Sequence, residues 1–338
     1  MITPILEKIA NHHPLSRQEA AQTLERIIEG KVTPEAASAF LMGLRTRGET
    51  PEELAGLVDV MQHHMETVEL ADPDAIDVCG TGGDGKATYN VSTTAAFILA
   101  AGGVTVAKHG NRAISSRSGS ADVLKELGIN IEMPPTTAQR CANELGITFF
   151  YAPFYHPAMK HLAPIRRNLG IRTVFNMLGP LLNPARVSRQ VIGAFNLKAA
   201  ELLAQTLARR GVTKALVVHS TDGYDEVSPF APTHVFQVSS NGEVQQFLFE
   251  PPTNGHRLNS AEAQGNSPQE NAQIIKAVLT GERKDAARHF AVLNAAFGFF
   301  VADKVTSIEE GIEKASAILE SGAAWTKVQA LAYLSDFV

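Results

Sequence analysis

Up to residue 70 the apolar positions recur three and four apart, and no stretch alternates. Leu54, Leu57, Val58, Met61 and Met65 fall on one helical stripe, opened by Thr50-Pro51 and Glu53 in a capping pattern. Ser16 with Glu19 repeats that pattern ahead of residues 20–29, and Gly30 closes the helix. Thr33-Pro34 opens another helix, which ends at Gly48. This part reads as helices only.

From Ala75 the period changes. Apolar runs of strand length at 76–79, 104–108, 147–151, 190–195 and 215–220 alternate with helix signals such as 92–101 and 198–210. Such alternation predicts an α/β fold with a mostly parallel sheet, covered by helices on both faces. Runs 234–239 and 243–249 flank Asn241-Gly242, a tight hairpin signal that adds an antiparallel element. The C-terminal part is helical again. Ser267-Pro268 starts one helix, 286–302 is the longest apolar one, and Ser307 with Glu310 caps another. Residues 156–170 and 172–182 break the alternation, with no strand between them. They are expected to pack on the N-terminal helices. Residues 1–72 with about 157–186 would then form a small all-helical domain, and 73–156 with about 187–338 a large α/β domain.

Composition narrows the classes. The chain has 338 residues, 44% of them hydrophobic and 19% charged, enough for a soluble protein with a sizeable core and about two domains. A net charge of −5 gives no general attraction to nucleic acid or to an anionic membrane. Two cysteines, Cys79 and Cys141, supply neither a disulfide framework nor zinc spacing and suit a reducing cytoplasm. No secretory leader and no membrane span are expected.

The chemistry is concentrated in Asp77-Val78-Cys79-Gly80-Thr81-Gly82-Gly83-Asp84-Gly85-Lys86. A glycine-dense loop between strand and helix turns backbone N–H groups toward phosphate oxygens. Asp84 would repel phosphate unless a cation or a sugar hydroxyl stood between, so a phosphorylated sugar or nucleotide with a divalent metal is the expected ligand. The spacing also matches a dinucleotide fingerprint, but the second strand ends in Lys108-His109-Gly110-Asn111-Arg112, without the acid that fingerprint needs. It falls one residue short of a nucleotide-hydrolase P-loop, since Ala87 stands where a hydroxyl must hold magnesium. The following helix also starts late, with Asn90 or Ser92 as its cap. The second loop, 108–120, is cationic and hydroxyl-rich, and should share a crevice with the first. Asp225-Glu226 follows the fifth strand signal at the same sheet edge and suits magnesium. Arg166, on a helix starting at His156-Pro157, could take a carboxylate by two prongs.

These motifs in order, with His156-Pro157-Ala158-Met159-Lys160 and the run from Asn176 to Pro184, resemble the anthranilate phosphoribosyltransferases over nearly the whole chain. The resemblance implies transfer of the phosphoribosyl group of phosphoribosyl pyrophosphate to anthranilate, in tryptophan synthesis. It implies the fold of the nucleoside phosphorylase class of phosphoribosyltransferases and a homodimer joined through the small domains. By that pattern, Gly80, Gly83, Asp84, Thr88, Asn90, Val91, Ser92, Thr93, Lys108, His109, Gly110, Asn111, Arg112, Ala113, Ile114, Ser115, Ser116 and Ser120 would bind the donor. Gly80, Asn111 and Arg166 would touch anthranilate, and Ser92, Asp225 and Glu226 would hold magnesium, two ions per subunit. His109 is a candidate for proton removal. Tyr224 replaces a more usual aliphatic residue, and Phe149-Phe150-Tyr151 is unusually aromatic for the pattern. The rival readings are a pyrimidine nucleoside phosphorylase, a non-catalytic nucleic-acid-binding relative, and an enzyme of the same class using another amine or nitrogen base.

Overall fold

The computed structural model describes residues 2–113, 117–252 and 258–336. Four helices come first: α1 (Thr3–Ala10), α2 (Arg17–Ile28), α3 (Pro34–Arg47) and α4 (Pro51–His63). Ser16 and Thr50 close full capping boxes with Glu19 and Glu53, which is why α2 and α4 begin where the sequence says. Glu53 is fully buried and also accepts the Leu15 N–H at 2.7 Å, and the Arg47 guanidinium pairs with it.

A seven-stranded sheet follows, in the order β3-β2-β1-β4-β5-β6-β7. Its strands are β1 (Ile76–Gly80), β2 (Val106–Gly110), β3 (Ile147–Tyr151), β4 (Arg189–Gly193), β5 (Lys214–Ser220), β6 (Thr233–Ser239) and β7 (Val244–Phe249). The first five are parallel, while β6 and β7 run antiparallel as the hairpin signal predicts. β2 begins two residues later than the apolar run suggests. The Val104 N–H instead bonds to Leu99 O at 3.1 Å, finishing the turn after the preceding helix. Strand order reverses between β1 and β4, and ligand crevices open at that point, outside the carboxyl ends of the strands.

The connecting helices are α5 (Val91–Ala101), α6 (Ser120–Glu126), α7 (Pro135–Leu145), the short α8 (Ala152–Tyr155), α9 (Met159–Leu169), the short α10 (Phe175–Leu178) and α11 (Leu197–Arg210). Pro157 and Ala158 form a turn, so α9 starts at Met159 rather than at His156. The chain ends in α12 (Pro268–Leu279), α13 (Ala286–Val301), α14 (Ile308–Ser321) and α15 (Ala323–Ser335). The sequence reading did not separate α15 from α14; Gly322, at φ 71°, ends one and begins the other.

Two cores form because successive strand residues face opposite sides. Val191, Leu216, Val218 and Val235 pack against α5 and the C-terminal helices. Ile192, Ala215, Val217 and Phe236 pack on the other face with α11, the N-terminal helices and residues 158–182. The middle segment thus shares a core with α2, α3 and α4, and that core is continuous with the sheet. Among the described residues no helix is long and apolar enough to cross a membrane.

Candidate active site

β1 ends at Gly80, and the chain then turns through Gly82, Gly83, Gly85 and Ala87, all at positive φ. Among the described residues, the N–H groups of Gly83, Asp84 and Gly85 have no hydrogen-bond partner. Consecutive free N–H groups of this kind make an anion-binding concavity. Ala87, at φ 55°, adopts a conformation that costs a side chain about 1–2 kcal/mol. The strand-like contact with residues 263–265 holds it there: Ala87 O accepts the Gly265 N–H at 2.8 Å, and the Tyr89 N–H reaches Ala263 O at 3.1 Å. Lys86 lies over the Tyr224 ring at 5.3 Å, away from the start of α5, so the P-loop reading fails on geometry.

Asn90 does not cap α5 with its side chain. Its amide instead donates to Ser118 O at 3.2 Å and accepts from Asn271 at 2.9 Å, tying the first loop to the second. Val91 and Thr93 turn their side chains into the core, and the Val91 N–H is taken by Tyr89 O at 2.7 Å. Thr88 bridges to Gln264.

The third loop crosses over the ends of β1 and β4. A Cβ on Gly193 would lie 1.5 Å from the Asp225 carbonyl oxygen, and one on Gly80 would lie 2.8 Å from Asp225 Oδ2. Glycine at both strand ends is what lets the carboxylate pair settle there. The Gly82 N–H donates to Asp225 Oδ2 at 2.8 Å. Burial and the nearby Asp84 push the Asp225 carboxyl up to about 7. Burial and Asp225 push Glu226 well above the carboxylate range, and Glu226 Oε2 is buried without a partner. Such a group of acids is short of positive charge. The described residues form no closed cage of three or more ligands. None is needed for magnesium, which takes one or two carboxylates and completes its shell with water and substrate phosphates. The orphaned Glu226 oxygen and the raised carboxyls therefore fit a hard cation.

Lys108 departs from the reading of 108–120 as a cationic loop. It is a buried strand residue, donating to Val78 O at 2.6 Å and to Ser92 Oγ at 3.2 Å, and burial lowers its pKa. Its charge lies beneath the carboxylates. Arg112 stacks on Tyr151 at 5.7 Å, and Arg117 donates to Asn266 Oδ1. Asp122 anchors the loop at both ends, accepting from Ala113 at 2.9 Å and Gly119 at 3.0 Å. Ser120 Oγ reaches Asn111 O at 3.4 Å. Ile114, Ser115 and Ser116 lie outside the described residues.

Beside this rim opens a cavity of about 470 Å³, lined by Gly80, His109, Gly110, Asn111 and Arg166, and walled by Met159, Phe175, Leu178 and Pro180. The three residues expected to touch the amine acceptor thus share one cavity. Arg166 is half-buried over the Phe175 ring at 5.3 Å, and burial lowers its pKa. Among the described residues no carboxylate pairs with it. His109 has both ring nitrogens engaged, Nδ1 with Gly179 O at 3.1 Å and Nε2 with His156 Nε2 at 3.2 Å. Burial, with His156 close by, takes His109 down to about 3, and burial takes His156 to about 4. Both imidazoles are neutral, and His109 is a poor proton acceptor. Beneath them Asp77, raised to about 6 by burial, accepts from the His109 N–H at 3.2 Å and from Asn183 at 2.8 Å.

Sequence reasoning missed His156 as the partner of His109, Gly193 beneath Asp225, and Arg172, which donates to Gly83 O and stacks on Phe195 at 4.8 Å. It also missed residues 263–266. Only the Gly193 position carried a signal, a glycine at a strand end on the crevice side.

The comparisons agree with this geometry. Residues 3–65 match the helical bundle domain of the glycosyl transferase family, and residues 72–325 match its α/β domain. The chain is 47% identical over 341 aligned positions to anthranilate phosphoribosyltransferase of Thermomicrobium roseum, covering 99% of this chain and 97% of that one. The structure of the Thermus thermophilus enzyme of that name superposes with a TM-score of 0.91 at 38% identity, covering 98% of each chain. That of the Saccharomyces cerevisiae enzyme in complex with PRPP and Mg gives 0.89 at 29% identity, covering 100% of this chain and 98% of that one. The chain belongs to the anthranilate phosphoribosyltransferase family.

Proposed function

We infer that the cleft carries out its family's reaction, moving the phosphoribosyl group of phosphoribosyl pyrophosphate to the amino nitrogen of anthranilate in tryptophan biosynthesis. The carrying observation is the meeting of two unlike surfaces at one rim: unpaired N–H groups with crowded acids, and an apolar cavity with an unpaired arginine. The first surface suits a diphosphate brought in with a cation. The second suits a flat aromatic acid, its carboxylate on Arg166.

In this reading the residues named from the resemblance hold the donor, and Ser92, Asp225 and Glu226 hold magnesium, two ions per subunit. When bound, the metal neutralises the diphosphate as it leaves. The glycine-loop N–H groups are aimed at the same charge and need no reorganisation as it develops. The bond from the ribose carbon to the diphosphate oxygen breaks, and the anthranilate nitrogen bonds to that carbon. Holding both partners at one rim makes the encounter effectively intramolecular. The resulting arylammonium is acidic and gives its proton to solvent. His109 keeps its hydrogen bonds and serves as a wall of the cavity. A cytoplasmic homodimer joined through the helical part belongs to the same reading; Met42 of α3, 45% exposed, supports the contact, and two unpaired cysteines support the compartment.

The test is loss of anthranilate fluorescence with phosphoribosyl pyrophosphate and magnesium, each omitted in turn. Consumption is expected only with all three present. Phosphorolysis of thymidine or uridine in place of transfer would overturn the reading.

A further inference from the structure

The apolar stripe of α12 contains an exception. Asn271, Ile275, Val278 and Leu279 are its buried residues, at the spacing of one helical face, and Asn271 is 1% exposed. An amide in a core position costs stability unless its hydrogen bonds are made. Here they are, and with residues of the cleft. Asn271 Nδ2 donates to Asn90 Oδ1 at 2.9 Å, and Asn271 Oδ1 accepts the Asn266 N–H at 3.1 Å.

The orientation of this chain of amides is fixed at both ends by the backbone. Ser118 C=O can only accept, so Asn90 must present Nδ2 to it, at 3.2 Å. Asn90 Oδ1 then accepts, from Asn271 Nδ2 at 2.9 Å and more distantly from Ser118 Oγ at 3.3 Å. That leaves Asn271 Oδ1 toward Asn266 N–H, which can only donate. Turning either amide over would mismatch one backbone group and the contact between the two amides. A Cβ on Gly265 would lie 2.2 Å from Asn271 Oδ1, so the backbone there is closed tightly over the amide.

We propose that Asn271 is a positioning residue for the phosphoribosyl donor, setting Asn90 and through it the junction between the glycine loop and the second loop. The inference rests on the reading of residues 90–93 as part of the donor site. Asn271 touches no substrate; it acts by fixing where Asn90 and the first turn of α5 stand.

The experiment compares Asn271→Leu and Asn271→Asp with the wild-type chain. Donor affinity is read by calorimetry with phosphoribosyl pyrophosphate and magnesium, along with the Michaelis constants for both substrates and the melting temperature. The leucine variant keeps the apolar stripe and loses both bonds. It should raise the donor constants about tenfold and leave the anthranilate constant within twofold, while the Asn266 N–H left without its partner lowers the melting temperature by a few degrees. The aspartate variant should lose donor affinity at neutral pH, where its carboxylate faces Asn90 Oδ1. It should regain affinity as pH falls, once the protonated acid can donate to that oxygen. Donor constants within twofold of wild type in both variants would overturn the proposal, as would equal shifts for both substrates. A wild-type chain that takes up no donor would overturn the functional reading itself, and this one with it.

Discussion

The two sides of the cleft are built in opposite ways. The donor side consists of loops at the carboxyl ends of β1, β2 and β5, and it presents backbone N–H groups and carboxylates that repel one another. The acceptor side is a cavity walled by α9, α10 and the ends of β1 and β2, mostly apolar, with Arg166, Lys160, two asparagines and a pair of neutral imidazoles among its lining. The donor side holds charge it cannot balance alone and is completed by what it binds. The acceptor side is already balanced, apart from Arg166 and Lys160, which have no anion among the described residues. Loss of a donor-side group should therefore show in turnover with little loss of stability. Loss of an acceptor-side group should show in one substrate's affinity or in stability.

The sharpest break of that comparison is the pair Asp225→Asn with Glu226→Gln. Turnover at limiting magnesium should fall on the order of a thousandfold. Melting without magnesium at pH 8 should rise or stay level. The sign follows from the raised Asp225 carboxyl: above about 7 its charge is a native-state cost, and the amide removes it. Unchanged turnover at limiting magnesium would take both residues out of the metal site. Next is Gly193→Ala. Its methyl group would lie 1.5 Å from the Asp225 carbonyl, so the acidic loop must move by more than an ångström. A displacement of that size should cost about a hundredfold in kcat/KM with the anthranilate constant little changed. An alanine variant with wild-type kinetics would show that the loop needs no such placement. Arg166→Ala should then raise the anthranilate constant about tenfold to fiftyfold, leaving the donor's constant alone. If the donor's constant moves instead, the arginine belongs to the other side.

The same contrast decides what could be read from sequence. The donor side recognises its ligand with contiguous backbone, so Gly80 to Lys86 and Asp225-Glu226 stand out as motifs, and a strand–loop–helix alternation suffices to bring them together. Capping pairs such as Ser16 with Glu19 are equally local and correctly start their helices. The acceptor side is assembled across the fold. That His109 meets His156, 47 positions away, follows from β2 lying beside β3 and from the turn after α8. Neither residue announces a partner. Lys108 reads as a loop cation because its neighbours are polar, but the two-residue shift of β2 makes it a strand residue between β1 and β3, where burial is imposed by position. Asn90 has the chemistry of a helix cap and is diverted by Ser118 and Asn271, which sequence distance hides. Gly193 carries a signal as a strand-end glycine on the crevice side, but what it makes room for follows only from Asp225 crossing it.

The smallest effect is the most diagnostic for the acceptor side, because it separates the two regions by pH. His109 and His156 are held at about 3 and about 4 in the fold, against about 6.5 when unfolded. A lowered imidazole pKa means the unfolded chain binds protons that the native chain refuses. Stability is then complete above about 6.5 and is lost as pH falls toward 4 and below. While one imidazole differs in this way, the loss is about 1.4 kcal/mol per pH unit. Urea unfolding between pH 4.5 and 6.5 should give His156→Asn a slope lower than the wild-type one by that amount, since one of two imidazoles is gone while the opposing slope of the raised Asp77, Asp225 and Glu226 carboxyls is common to both chains. The Asp225→Asn with Glu226→Gln chain should show a steeper acid slope than wild type, because carboxyls raised in the fold hold protons that the unfolded chain has lost and so lower stability as pH rises from about 4 toward 7. If His156→Asn leaves the acid limb unchanged, the imidazoles are not buried neutral in solution. The acceptor wall would then be hydrated, and the contrast between a balanced cavity and an unbalanced rim would fail on the cavity side.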